Sequence, residues 1–348
     1  MWTNVFKLPE PFAHLISEDL YHEERKKQLA QYCQANGLNP EAVLHYSASD
    51  LIKPPRMRCL LRRYADKIVE DVSTHIYRIL GTAIHTALKL SAQRMEEKGI
   101  KGYIPEERIF THFQMDGRTI VISGEPDLIT PDGWIHDYKV TAVYGLKHGV
   151  KSEWEQATNI YVWLRGLQGF PTKGILITFI LRDWSKREAQ TMHDYPQAAG
   201  QTMECRLWTT EQQLAFIKER TKLHMENEQV FDDELPECSA VEMWEKPAAW
   251  AVIREDSARA VKVYRMDNFP PETMGDTLHL AASADAELRN KKLKKGEKPY
   301  LVEHRLGERT RCQDYCSAKQ FCSQYKEFAS AAFQSAPKDG LEGAHHEA

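Results

Sequence analysis

The stretch from Ile122 to Val140 constrains the fold more tightly than any other part of the chain. Its two arms flank Pro131-Asp132-Gly133, a composition that favours tight reversal, and so predict a β-hairpin. Folded symmetrically about Asp132, the hairpin sets Thr130 opposite Trp134 and Asp127 opposite Asp137. Side chains alternate along a strand, which puts Asp127, Asp137 and Lys139 on one face. Directly opposed residues in an antiparallel pair have Cβ atoms roughly 5 Å apart. Carboxylates that close repel each other unless a cation lies between them, and hard cations such as Mg²⁺ take carboxylate oxygens. The bland alternative is the wet face of a half-buried sheet, with Glu125 opposite Lys139 and neutralising it. Pro126 has no N–H to donate and predicts a bulge or an edge just before Asp127.

The chain has 348 residues, enough for one large or two medium domains. With 42% hydrophobic and 28% charged residues it reads as an ordinary globular protein. The longest apolar run, Gly174 to Leu181, is far too short to span a bilayer, and the start lacks a signal-peptide pattern. A cytoplasmic protein with no membrane partner is expected. The net charge of −4 advertises no global affinity for nucleic acid, although two basic stretches stand out. The run Lys291, Lys292, Lys294, Lys295 and Lys298 reads as a solvated face. The run Arg56, Arg58, Arg62, Arg63 and Lys67 brackets Cys59, and arginine forks match phosphate geometry. Seven cysteines, an odd number, argue against a disulfide framework in such a compartment. Cys312, Cys316 and Cys322 are clustered, which points to metal.

In chain order, residues 13–36 predict helix, and Tyr46-Ser47 a helix start capped by Ser47 or Ser49. Pro54-Pro55 breaks that helix, and Met57 to Val69 predicts another. Apolar spacing predicts a long helix from Thr74 to Lys98, stopped by Gly99. Within it Gly81 and His85 lie one turn apart on the same face, and a helical glycine usually permits close packing. Strands follow near 107–114 and 119–123, then the hairpin, a helix over 151–167 and a buried strand over 175–181. Beyond Arg182 come a strand near 202–208, a helix capped by Thr209, a hairpin over 250–265, a helix over 281–295 and a strand over 300–304. The segment from about Ser335 predicts disorder. The order implies an α/β fold, a mixed central sheet flanked by helices.

Gly81-Thr-Ala-Ile-His85, Pro126-Asp127 and Asp137-Tyr-Lys139, in that order and spacing, resemble the PD-(D/E)xK nuclease superfamily and its RecB-like branch. The resemblance covers roughly residues 46–182. It implies a restriction-endonuclease-like core with helical N- and C-terminal additions: a segment at 1–45, the core at 46–182, an extension at 183–334 and a tail at 335–348. It further implies that Asp127 and Asp137 ligate Mg²⁺ or Mn²⁺, that His85 adds a metal contact, and that Lys139 orients or deprotonates the attacking water. Glu107 is the candidate for a further acid ahead of the Pro-Asp strand, with Glu106 beside it and a surface glutamate as the plain alternative. RecB-like members often carry a glutamine and a tyrosine four residues apart on the next helix. Gln156 and Tyr161 are five apart, which weakens their assignment to DNA contact.

Cys312, Cys316 and Cys322 are similar to the C-terminal cysteines of RecB-like nucleases that bind a [4Fe–4S] cluster. There the fourth ligand precedes the core, which implies Cys59 here, clasping that segment to the chain's end. The first two cysteines of the trio are separated by three residues where the family commonly has two. That leaves a rival zinc site with Cys59 or His304. The implied activity is a metal-dependent DNA exonuclease acting on ends or single strands, with Arg62, Arg63, Gln156 and Tyr161 along the strand's path. Rival readings are an endonuclease or junction resolvase on the same core, and a silent nucleic-acid-binding scaffold. A recombination or replication protein is the partner class such an enzyme implies.

Overall fold

The computed structural model describes residues 1–17, 22–146, 149–257, 259–265 and 275–335. The expected disordered tail lies outside them, apart from Ser335, which ends a helix. The described chain is mixed α/β and divides into two compact units, one of residues 1–59 and 66–230, the other of 60–65 and 231–348. Among the described residues no helix is long and apolar enough to cross a membrane.

Two larger sheets dominate the first unit, beside a short parallel pair of Trp2–Thr3 with Glu70–Asp71. In the larger, the strands run in the order Gly200–Cys205, Gly174–Leu181, Trp134–Thr141, Leu128–Ile129 and Ile104–Pro105. Trp134–Thr141 and Gly174–Leu181 are parallel, and the other neighbours are antiparallel. The smaller sheet sets Leu44–Ser47 parallel to Arg118–Gly124, which pairs antiparallel with Ile109–Met115. The sheet reaches to residue 205 and the following helix Thr210–Asn227 belongs to the same unit, so the unit extends well past residue 182.

Local signals explain most of the elements. Ser47 caps the short helix Ala48–Leu51 in a reciprocal box with Asp50, and Pro55 opens the next helix at its first turn. Thr209 and Gln212 form the same box ahead of Thr210–Asn227. The strand Gly174–Leu181 buries Ile175, Ile177 and Phe179 completely, each contributing about 1.5–3 kcal/mol. The helix Ser152–Leu167 presents Ile160, Trp163 and Leu164 to one apolar cluster and Val162 to the other. It is wedged between two cores, which is why its apolar residues do not fall on one stripe.

Two glycines behave in opposite ways. Gly124 ends the strand Arg118–Gly124 where the wedged helix crosses it. A Cβ there would lie 2.7 Å from both Leu164 Cδ1 and Tyr161 Cδ1. Gly81, expected to admit a close neighbour, has nothing within 4 Å of an added Cβ. Its helix packs through other positions.

The second unit holds a three-stranded antiparallel sheet, Ala260–Arg265, Ala249–Arg254 and Tyr300–Arg305. The helix Gly275–Asn290 covers it through Leu278, Ala282 and Ala286, which meet Val252 and Tyr264. The described lysines of the run after this helix are exposed, as a solvated face requires.

Gly124→Ala is expected to destabilise the protein by about 1–3 kcal/mol through overpacking. Gly81→Ala is expected to stabilise it by up to about 1 kcal/mol through helix propensity. Denaturant unfolding checks both, and equal shifts of one sign would contradict this packing.

Candidate active site

The hairpin register is the one its alternation demands. Leu128 pairs with His136 and Ile129 with Ile135, and Thr130 N–H donates to Trp134 O at 2.9 Å. Gly133, at φ +88°, completes the turn that Pro131-Asp132 begins. Asp127 and Asp137 therefore stand opposite each other at the open end of the hairpin. Asp127 Oδ2 accepts the Tyr138 amide at 2.6 Å, which fixes its side chain toward the far strand. Asp137 is only 4% exposed.

Three further side chains close on this pair. Lys139 Nζ lies 2.5 Å from Asp137 Oδ2. Its approach leaves that buried oxygen without an aligned hydrogen bond. His85, half-buried on the helix Tyr77–Glu97, places Nδ1 3.4 Å from Asp127 Oδ1 and 3.5 Å from Glu106 Oε1. Glu106 also meets Lys89 Nζ at 3.1 Å.

Glu106, rather than Glu107, is the acid at the site. Its φ of +47° is a left-handed conformation that interrupts strand alternation and turns its side chain inward. Glu107 faces outward, 3.9 Å from Arg165. Glu125 does not neutralise Lys139, because it forms a close pair with Arg108, whose Nη1 also donates to Ser123 Oγ at 3.2 Å. His45 Nε2 holds the same hydroxyl at 2.9 Å, so the strand behind the site is tied from both sides.

Electrostatics follow from burial and crowding. Burial, then the charge of Asp137, pushes the Asp127 carboxyl up to about 7, against the pull of Lys139 and His85. The hydrogen bond to Glu106 holds His85 above its ordinary value although burial opposes it. Burial opposes the charge of Lys139, but Asp137 and then Asp127 outweigh it and keep the amine protonated. Burial, then the charges of the same two carboxylates, hold Tyr161 well above the ordinary phenol range. Gln156 is half-buried on the same helix.

The arginine run is largely structural. Arg56 and Arg58 are buried, Arg58 Nη1 bonds Glu228 at 2.6 Å and its guanidinium stacks over Tyr46. Arg63 is paired with Asp232 at 2.5 Å, and Arg62 is exposed. Cys59 is buried and its Sγ donates to Asn227 O at 3.4 Å. Cys312, Cys316 and Cys322 stand within electrostatic reach of one another.

The donor set fits a hard cation: two opposed carboxylates, Asp137 buried and Asp127 half-buried, a third acid in Glu106, and an imidazole. As they stand, no three His, Cys, Asp or Glu side chains among the described residues form a ready metal-holding group. Lys139 and His85 instead offset the acids directly.

No known family profile matches the chain, and no curated protein matches it. Among solved structures it is similar to one titled "Crystal structure of SSO0001", at 16% identity and a TM-score of 0.38, over 60% of this chain and 87% of that one. So slight a likeness carries no argument about this protein.

The raised Asp127 value has a sign. A carboxyl whose folded value lies near 7 against an ordinary 3.8 adds stability below the lower value and loses it as pH rises through the upper. The metal-free protein is therefore expected to lose stability across that window. Asp127→Asn should flatten the decline. Thermal midpoints of both proteins against pH check this, and parallel profiles would contradict it.

Proposed function

We propose that the protein is a divalent-metal-dependent deoxyribonuclease, an exonuclease acting at DNA ends or on single strands, with a restriction-endonuclease-like core. One observation carries the reading: Asp127, half-buried, and Asp137, buried, face each other across a hairpin with Lys139 and His85 against them. Buried like charges at such range are costly, and a structure keeps them where a cation or a reaction uses them.

When bound, Mg²⁺ or Mn²⁺ supplies an acidified water and a polarised phosphate. The residues that would hold it are Asp127, Asp137 and His85, with Glu106 as the further acid. Lys139 holds a fixed positive charge against Asp137, and such a pre-aimed cation would stabilise charge growing on a phosphate without reorganisation. Arg62, which is exposed, is a candidate phosphate contact, and Arg63 pairs with Asp232. Cys312, Cys316 and Cys322 we read as part of a soft-metal site, an iron–sulfur cluster or zinc.

End-labelled DNA incubated with Mg²⁺ is expected to yield mononucleotides or short oligomers, with closed circles left intact. Lys139→Ala should lower kcat by about 10²–10³-fold, and Asp137→Ala should abolish turnover. Nicking of closed circles would favour the endonuclease reading. Undiminished cleavage by Asp137→Ala would reject the site.

A further inference from the structure

The C-terminal unit brings a fourth thiol to the cysteine trio. Cys238 lies far from the trio in sequence, beyond the whole sheet-and-helix module of residues 249–305. Three contacts fold it back. The two-residue strand Glu245–Lys246 pairs antiparallel with Glu308–Arg309. Arg311 N–H donates to Met243 O at 3.0 Å, so the segment leading from Cys238 runs beside the segment leading into Cys312. Buried Gln324, two residues past Cys322, then clamps the Cys238 backbone. Its Oε1 accepts the Cys238 amide at 2.9 Å, and its Nε2 donates to the Cys238 carbonyl at 2.9 Å.

The surroundings suit thiolates gathered on a metal. The wide turn Arg311–Tyr315 separates Cys312 from Cys316, and such turns recur at functional sites. Arg309 and Arg311 stand near Cys312, and Arg311 and Lys319 near Cys316. Four thiolates around a divalent ion leave net negative charge, which these cations offset. Cys238 itself feels Glu242 and then all three of the other thiols.

We propose that Cys238, Cys312, Cys316 and Cys322 together form a four-thiolate site for a thiophilic metal, held wholly within the C-terminal unit. The proposal rests on reading the trio as a metal site and is independent of the nuclease chemistry. It puts Cys238 where the family resemblance put Cys59. Among the described residues no three such side chains are yet gathered to hold an ion, so binding draws the four thiols in. Each thiol that binds gives up its proton to solvent as its sulfur bonds the metal. Zinc would take the four sulfurs as a tetrahedron, and an iron–sulfur cluster would take one sulfur at each of its irons.

The test is metal content of the full chain purified without oxygen, for wild type, Cys238→Ser and Cys59→Ser. Zinc, iron and acid-labile sulfide are measured alongside the visible spectrum. Wild type is expected to hold either zinc alone or iron with sulfide and a brown absorption, and Cys59→Ser to hold as much. Cys238→Ser should fall to background while keeping a native circular-dichroism spectrum. Alkylation of the wild type gives a second readout that needs no variant. Cys238 should be protected as purified and reactive after chelator treatment. Metal-free wild type, full loading of Cys238→Ser, loss from Cys59→Ser, or equal alkylation before and after chelation would each overturn the proposal.

Discussion

Two like charges held together against their repulsion organise the first unit. Asp127 and Asp137 are opposed because the Pro131-Asp132-Gly133 turn and the apolar alternation of its arms leave a single register. A slip of one residue would turn Ile129 and Ile135 out of the core and break the cluster they share with Ile175, Ile177 and Phe179. The hydrophobic energy of the sheet thus keeps the acids in place. Burial, and then repulsion by Asp137, surface as a raised Asp127 value, and Lys139 pairs closely with Asp137. Folding free energy is spent on holding the two acids in a strained electrostatic state.

The rest of the unit is arranged to support that pair. The wedged helix fills the space between two cores and brings Tyr161 over the strand end at Gly124, where no side chain fits. The His85 helix approaches from another side, its imidazole shared between Asp127 and Glu106. Behind the site, Arg108 engages Glu125 and, with His45, the Ser123 hydroxyl, leaving Lys139 to Asp137. Each support uses a different element, so the site is held by tertiary packing and not by the hairpin alone.

What was legible in the chain were features set by local geometry. The hairpin register followed from alternation, the Ser47 and Thr209 caps from side chains that bond their own helix starts, and the buried strand from its unbroken apolar run. Features set by distant partners were not legible. Glu106 takes its place through a left-handed backbone that strand alternation does not anticipate. Arg58 and Arg63 looked available for phosphate, but Glu228 and Asp232, far along the chain, engage them. Cys238 has no sequence neighbour to mark it, since a whole folded module separates it from the trio. Gly81 shows the converse, a local cue to close packing that no neighbour takes up.

The account stands or falls on whether the opposed acids share an ion. Calorimetric titration of the purified protein with Mn²⁺ at a pH above 7 measures this directly. Wild type should show saturable binding that Asp137→Asn, a change of charge with almost no change of shape, removes. Equal binding by the two proteins would mean that the ion, if any, sits elsewhere, and that the hairpin carboxylates are not its ligands.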